Sequence, residues 1–105
     1  MLNRSEGIGM GDDVKLGAAV PPVSDNRDAS RFELMVDGHT GVLVYKRTPE
    51  SLVLVHTEVP PAIRGRRFGE ALVKAAIDAA HAEGLRVVAV CPFVKAYLRK
   101  HPDQS

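Results

Sequence analysis

The sequence predicts an α/β (α+β) domain in which an antiparallel β-meander is followed by a β-α-β crossover and a short C-terminal helix. Three observations indicate this class: alternating apolar residues with a turn signal after residue 31, an amphipathic helical pattern after residue 68, and a β-branched apolar run over 85–91. The 105 residues are 45% hydrophobic and 26% charged, which is enough chain for one domain with a single core.

The composition changes near residue 30. Residues 1–30 contain no aromatic side chain and no sustained apolar period, so they bury too little apolar surface to offset their ordering entropy. We therefore predict a flexible tail over 1–30 and one domain over 31–105. The alternative is an edge strand around Val14 to Val20.

The meander is predicted from three apolar segments. Alternation over 31–36 indicates a strand with one solvated face, and Asp37-Gly38 favours a type I′ turn into a return strand over 39–47. A third strand is predicted over 51–59. Its four consecutive apolar residues indicate a central strand that is buried on both faces.

The crossover is predicted from a helix and the strand that follows it. Apolar residues recur at helical spacing from Phe68, and Gly84 stands where a helix C-cap is expected. The run over 85–91 is typical of a buried strand that is parallel to its neighbour. A short terminal helix is predicted over 93–100.

A basic loop, residues 64–69, precedes the first helix. A helix N-terminus has unpaired N–H groups and the positive end of the helix dipole, and Gly65 lets a phosphate approach the backbone. Arg64, Arg66 and Arg67 add positive charge. The loop therefore suits a diphosphate, although a solvated basic turn has the same composition.

Two blocks of the sequence resemble a known family. The run V-P-P-A-I-R-G-R-R-F-G-E-A-L-V over 59–73 looks like the Q/R-x-x-G-x-G/A loop of GNAT-type N-acetyltransferases. The pattern C-P-F-V…Y-L…H-P over 91–102 is similar to the end of a minimal GNAT subgroup, whose H-T-x-V strand matches residues 56–59. The position of the loop that is normally glycine is Arg67, where a left-handed backbone costs about 1–2 kcal/mol.

The resemblance implies an acyltransferase that uses acetyl-CoA as co-substrate. The amine attacks the thioester directly, and a bulge in the strand before the loop presents an N–H to the thioester carbonyl. That bulge is expected near Thr57 to Val59. The residues implied to bind acetyl-CoA are Val59, Arg64, Gly65, Arg66, Arg67, Phe68, Gly69 and Glu70.

Four residues are candidates for catalysis. Glu58 and His56 lie two apart on a strand and therefore share a face, so either can take the amine's proton; the alternative is a surface carboxylate and a core histidine. The resemblance implies that Cys91 lies near the acetyl group, as acetyl acceptor or pocket lining, whereas free cysteines are commonly core residues. It also implies that Tyr97 protonates the CoA thiolate; the alternative is a core tyrosine with a wet hydroxyl.

The composition argues against several other classes. A net charge of +1 disfavours a dedicated nucleic-acid binder, and no apolar run is long enough to span a bilayer. With one cysteine and no histidine pair at metal-ligand spacing, no metal is expected. The N-terminus does not resemble a signal peptide. We expect a cytoplasmic protein without a membrane partner, as a monomer or weak homodimer.

The acceptor amine is not identified by the sequence. Full-length members of the resembled family have an additional helix pair that walls the acceptor site, whereas Asp37-Gly38 here turns straight into the next strand. An open acceptor site suits a large or protein-borne amine. One alternative function is a non-catalytic module that binds CoA or acyl-CoA. A nucleic-acid-binding domain that uses the arginines of the loop is the third.

Overall fold

The computed structural model describes residues 21–102, which form one five-stranded sheet and two α-helices. The order of the elements is β1 (Ser24–Asn26), β2 (Arg31–Val36), β3 (His39–Arg47), β4 (Ser51–Glu58), a 3₁₀ turn (Pro61–Ile63), α1 (Phe68–Ala82), β5 (Arg86–Ala89) and α2 (Pro92–Lys100). This order confirms the predicted fold class, a meander followed by a crossover and a short terminal helix.

The strands of the sheet are in sequence order, β1-β2-β3-β4-β5. The first four are antiparallel to one another, and β5 is parallel to β4 because α1 carries the chain back along the sheet. The turn between β2 and β3 has positive φ at both Asp37 (51°) and Gly38 (79°), as a type I′ turn requires. The predicted hairpin is therefore confirmed.

The last part of the predicted tail belongs to the sheet. Strand β1 pairs antiparallel with β2, the Tyr45 hydroxyl donates a 2.7 Å hydrogen bond to Asp25, and Val23 packs against the core. The boundary predicted at residue 30 therefore falls too late in the chain. A three-residue polar strand has no periodicity of its own to reveal it. The alternative strand around Val14 to Val20, with the rest of residues 1–20, lies outside the described residues.

Both helices contribute to one core on a single face of the sheet. Leu34, Leu43, Leu52 and Leu54 of the strands are at most 1% exposed, and each contributes about 1.5–3 kcal/mol by burial. The helices complete the core with Leu72, Val73, Ala76, Ile77, Ala80, Val94 and Tyr97. The stripe on α1 lies at helical spacing, which confirms the amphipathic pattern.

The opposite face of the sheet is open in the part of the chain that the structure describes. Val55 on β4 is 39% exposed, and Val88 and Val90 on and after β5 are 37% and 52% exposed. The prediction that β4 and β5 are buried on both faces is therefore wrong. A continuous apolar run does not show how many layers cover it, and here the helices cover only one face.

Helix α1 ends at the predicted glycine. Gly84 has φ 71°, its N–H bonds to the carbonyl of His81, and the N–H of Leu85 bonds to the carbonyl of Ala80 at 2.8 Å. This pair of hydrogen bonds is the Schellman motif, which ends the helix and turns the chain into β5.

We expect the docking of β1 to be measurable as a coupling between Tyr45 and Asp25. In a double-mutant cycle of Tyr45→Phe and Asp25→Ala, equilibrium denaturation should give a coupling free energy of about 1–2 kcal/mol, because the acceptor of the hydrogen bond is a carboxylate. Additive effects of the two substitutions would mean that β1 is not docked in solution.

Candidate functional site

Strand β4 contains one extra residue in its middle. Leu54 pairs with Tyr45, but His56 pairs with Val44, so Val55 has no partner on β3. This register shift is that of a β-bulge, which reverses the alternation of side chains beyond it. The bulge lies at Val55, and therefore earlier than the expected position at residues 57–59.

Beyond the bulge, His56 and Glu58 face away from the core. Their side chains are 62% and 69% exposed, and Nε2 of His56 lies 3.8 Å from Oε1 of Glu58. The predicted shared face is confirmed, and His56 is not a core histidine. Thr57, between them, faces the helices, where its hydroxyl contacts Cys91.

Strands β4 and β5 separate just where the bulge begins. Their parallel register ends with Leu54 opposite Ala89, and the N–H groups of Val90 and Cys91 both bond to the carbonyl of Leu54. The chain then enters α2, while β4 continues to Glu58. The edge of β4 beyond Leu54 is thereby left facing the N-termini of both helices.

The loop before α1 has an alternating backbone. Gly65 has φ 81° and Arg67 has φ 65° and ψ 21°, both left-handed, whereas Arg66 between them has a negative φ. Successive residues of opposite handedness can turn their N–H groups into one concavity, which is the geometry of an anion nest. Arg67 thus adopts the conformation considered from the sequence, despite its Cβ.

The N-terminus of α1 has no side-chain cap. Arg67 is the N-cap residue, and the N–H of Ala71 bonds to its carbonyl at 3.1 Å. The amides of the first helical turn, from Phe68 to Glu70, have no partner within the helix. They provide N–H donors and the positive end of the helix dipole beside the loop.

A cavity of about 600 Å³ lies between this loop and the free edge of β4. It brings together seven of the eight residues predicted to bind acetyl-CoA with both His56 and Glu58. Its lining consists of His56, Thr57, Glu58, Val59, Ile63, Arg64, Gly65, Arg67, Phe68, Gly69, Glu70 and Phe93.

Three of the predicted site residues, Arg66, Tyr97 and Cys91, are outside the cavity lining. The Arg66 guanidinium lies 3.4 Å from the carboxylate of Asp37 and 5.2 Å from the centre of the Phe68 ring, outside the cavity lining. Tyr97 is buried, with its ring 4.3 Å from that of His101. It lines a second groove, of about 480 Å³, between α1 and α2.

The second groove adjoins the first cavity at the start of α1, where Arg67 and Glu70 line both. Farther along, the groove is lined by Lys74 and His101, with Ala71 and Ala75 as its apolar surface.

Cys91 lies behind the cavity rather than in its lining. It is the N-cap residue of α2, is 5% exposed, and its Sγ is 3.7 Å from the Thr57 hydroxyl. Burial raises the pKa of the Cys91 thiol. Hydrogen bonds to sulfur from the Val94 amide, the Thr57 hydroxyl and the Phe93 amide outweigh that effect, so its pKa lies below the ordinary thiol value.

Phe93 and Thr57 lie in the resembled motifs, but their side chains were not among the predicted site residues. A Cβ at Gly69 would lie 2.9 Å from Cζ of Phe93, so this glycine allows the ring to pack directly on the first turn of α1. The sequence feature that could have revealed this contact is the combination of Gly69 in the loop with Phe93 at the start of α2. The sequence does not reveal the contact between the Thr57 side chain and Cys91, because it depends on the bulge at Val55.

Two further features are absent from residues 21–102. No group of three metal-ligating side chains converges there. None of the helices in that range is both long and apolar enough to cross a membrane.

The part of the chain that contains this site is similar to known proteins. The profile of the GCN5-related N-acetyl-transferase family matches residues 31–105, from β2 onward. The protein called NATD1 is 34% identical over 83 residues in Mus musculus, which is 76% of this chain and 76% of that protein. The Homo sapiens protein is also 34% identical, with 76% and 74% covered, and that of Danio rerio is 31% identical, with 76% of each covered.

The strain at Arg67 predicts that glycine is favoured there. We expect Arg67→Gly to be more stable than Arg67→Ala by about 1 kcal/mol, because both remove the guanidinium but only glycine relieves the left-handed backbone. Urea denaturation of the two variants measures the difference. Equal stabilities would show that the left-handed conformation is not held in solution.

The contact between Thr57 and Cys91 predicts a change in the thiol titration. The ultraviolet absorbance of the thiolate, taken as the difference from Cys91→Ser, should give a midpoint below that of an ordinary cysteine. Thr57→Val should move the midpoint to higher pH, because the thiolate loses a hydrogen-bond donor. Thr40→Val, on β3, is the matched control and should leave it unchanged. An unchanged midpoint in Thr57→Val would contradict the contact.

Proposed function

Because this chain belongs to the GCN5-related N-acetyltransferase family, we propose that it is an acyltransferase that moves the acetyl group of acetyl-CoA onto an amine. One observation carries the proposal. The uncapped N-terminus of α1, with its alternating loop backbone, lines the same cavity as the exposed pair His56 and Glu58. An anion-binding backbone and two proton acceptors are thus within one enclosure, as transfer from a nucleotide thioester to an amine requires.

The diphosphate of acetyl-CoA is proposed to bind the amides from Arg67 to Glu70. The Arg64 and Arg67 side chains line the cavity there and add charge, and Arg64 also holds the loop by a 2.8 Å hydrogen bond from Nε to the carbonyl of Val59. Charge-assisted hydrogen bonds are worth about 1.5–3 kcal/mol each, so a few outweigh the strain at Arg67. Arg66 contributes its backbone, since its side chain is held by Asp37.

With the diphosphate at the start of α1, the positions of the two ends of acetyl-CoA can be proposed. The amide-containing arm is proposed to lie along the free edge of β4 beyond Leu54, where it pairs with strand backbone and brings the thioester to the bulge at Val55. The nucleotide is proposed to extend into the second groove, which contains the Lys74 ammonium, paired with Asp78 at 2.9 Å, and the ring of His101. Phe93 covers the first turn of α1 between these two regions.

The reaction is proposed to proceed by direct attack. Glu58 or His56 takes a proton from the ammonium, directly or through water, and the free amine nitrogen attacks the thioester carbonyl carbon. The new C–N bond forms, the C–S bond breaks, and CoA leaves as a thiolate. The attacking nitrogen loses its second proton as the amide forms, and the thiolate takes up one proton, so the transfer is balanced. A backbone N–H at the bulge stabilises the oxyanion.

Cys91 is proposed to act from behind the cavity. Polarised by the start of α2, it lies on the far side of Thr57, next to the proposed place of the acetyl group. Tyr97 lines the second groove rather than the cavity, so its implied role as the source of the thiolate's proton stays a prediction.

The second candidate function is a module that binds CoA or acyl-CoA without turnover. The observation that favours it is that neither Cys91 nor Tyr97 belongs to the lining of the cavity. Binding and turnover separate the two functions.

We expect acetyl-CoA to shift amide resonances of residues 58–70 and 91–94. We also expect transfer to an amine that falls about 100-fold in Glu58→Gln, in line with the loss of a general base, while the dissociation constant of acetyl-CoA stays the same. Glu50→Gln, in the exposed turn before β4, is the matched control. Undisturbed amides over 65–70 would refute both functions. Binding without turnover on a panel of amines would establish the module instead.

A further inference from the structure

A groove of about 530 Å³ lies on the open face of the sheet, outside the cavity described above. It results from the register of three strands, because Glu33 on β2 is opposite Val42 on β3, and Val42 is opposite Glu58 on β4. These side chains form one row across the sheet. Pro60 and Pro61, which follow β4, also line the groove.

Glu58 is the residue that the groove and the cavity have in common. A molecule bound in the groove and one bound in the cavity therefore meet at its carboxylate. Since the bulge turns Glu58 to the open face, the groove reaches this carboxylate from the side of the sheet that the helices leave uncovered.

The two ends of the groove differ in charge. At the far end, Glu33 accepts hydrogen bonds from Arg31 at 2.6 Å and from Asn26 at 3.1 Å, and these partners lower its pKa. At the near end, Glu58 faces His56 at 3.8 Å, an imidazole that carries charge only when protonated. A cation is therefore attracted to Glu58, while the far end already contains a positive partner.

The middle of the groove is apolar and short. Val42 is half-buried and lies between the two carboxylates, and the rings of Pro60 and Pro61 are beside it. Neighbouring strands are about 4.8 Å apart, so Glu33 and Glu58 are on strands about 10 Å apart. The four-carbon stem of a lysine, with its ammonium at Glu58, covers Val42 and ends near the polar Arg31 and Thr40.

We infer that the acceptor is a lysine side chain of a peptide, which lies over Val42 with its ammonium at Glu58 and its peptide backbone beside Arg31 and Thr40. The inference rests on the proposed function and names the substrate class of that site. A free diamine suits the groove less well, because the Glu33 carboxylate that its second ammonium would meet is already paired with Arg31 and Asn26. A shorter amine does not cover Val42.

The test uses Nα-acetyl-lysine methylamide, its analogue with a single methylene in the side chain, and cadaverine. We expect the lysine compound to shift the amide resonances of Thr40 and Val42 saturably, without acetyl-CoA present. We also expect kcat/KM for its acetylation to exceed that of the two other amines by about tenfold or more, which corresponds to 1.4 kcal/mol.

Substitutions test the groove directly. Val42→Lys places a cation under the lysine stem, so it should lower kcat/KM for the lysine compound about tenfold and leave the dissociation constant of acetyl-CoA unchanged. Val88→Lys, an exposed valine on the same face of the sheet but outside the groove, is the matched control and should change neither. The resonance shifts of the unsubstituted protein test the inference even if Val42→Lys does not fold.

The outcomes distinguish the inference from the proposed function. Shifts over 65–70 with acetyl-CoA, but none at Thr40 and Val42 with the lysine compound, would overturn the inference alone. Equal kcat/KM for all three amines, or a fully active Val42→Lys, would do the same. Shifts at Thr40 and Val42 without any response to acetyl-CoA would support the groove and refute the proposed function.

Discussion

One extra residue in β4 determines which side chains of this site face the core and which face solvent. Leu52 and Leu54 point into the core, and unbroken alternation would send His56 and Glu58 there as well. Burying an unpaired carboxylate costs far more than one irregular strand residue. The bulge at Val55 therefore allows the same strand to anchor the core with its first half and to present a carboxylate and an imidazole with its second.

The extra residue, Val55, also affects how the N-termini of the two helices pack against the sheet. Because the alternation reverses, Thr57 faces inward and contacts Cys91, at the point where the chain leaves β5 for α2. The separation of β4 from β5 leaves room for the N-terminus of α1, which Gly69 allows to pack closely against Phe93. The bulge in β4, the start of α1 and the strained loop before it therefore all lie where β4 and β5 separate.

The sequence predicted the parts of this arrangement that have local physical causes. Asp37-Gly38 specified a turn with two positive φ angles, Gly84 specified a helix end, and the loop arginines with Gly65 specified a basic helix start. The resemblance implied a bulge near Thr57 to Val59, but its position at Val55 was missed, because four consecutive apolar residues have no alternation that an extra residue would interrupt. Likewise β1 is held by pairing and by the Tyr45 hydroxyl rather than by apolar spacing.

Glu58 is exposed because the helices leave this face of the sheet uncovered. Apolar surface left uncovered carries a cost in unwanted association, and Val55, Val88 and Val90 all contribute to it here. A second layer of helices would remove that cost, but it would also cover the groove that ends at Glu58. With the helices confined to one face, the proposed acetyl-CoA site at the start of α1 and the groove over β3 lie on different sides of β4, and Glu58 lines both.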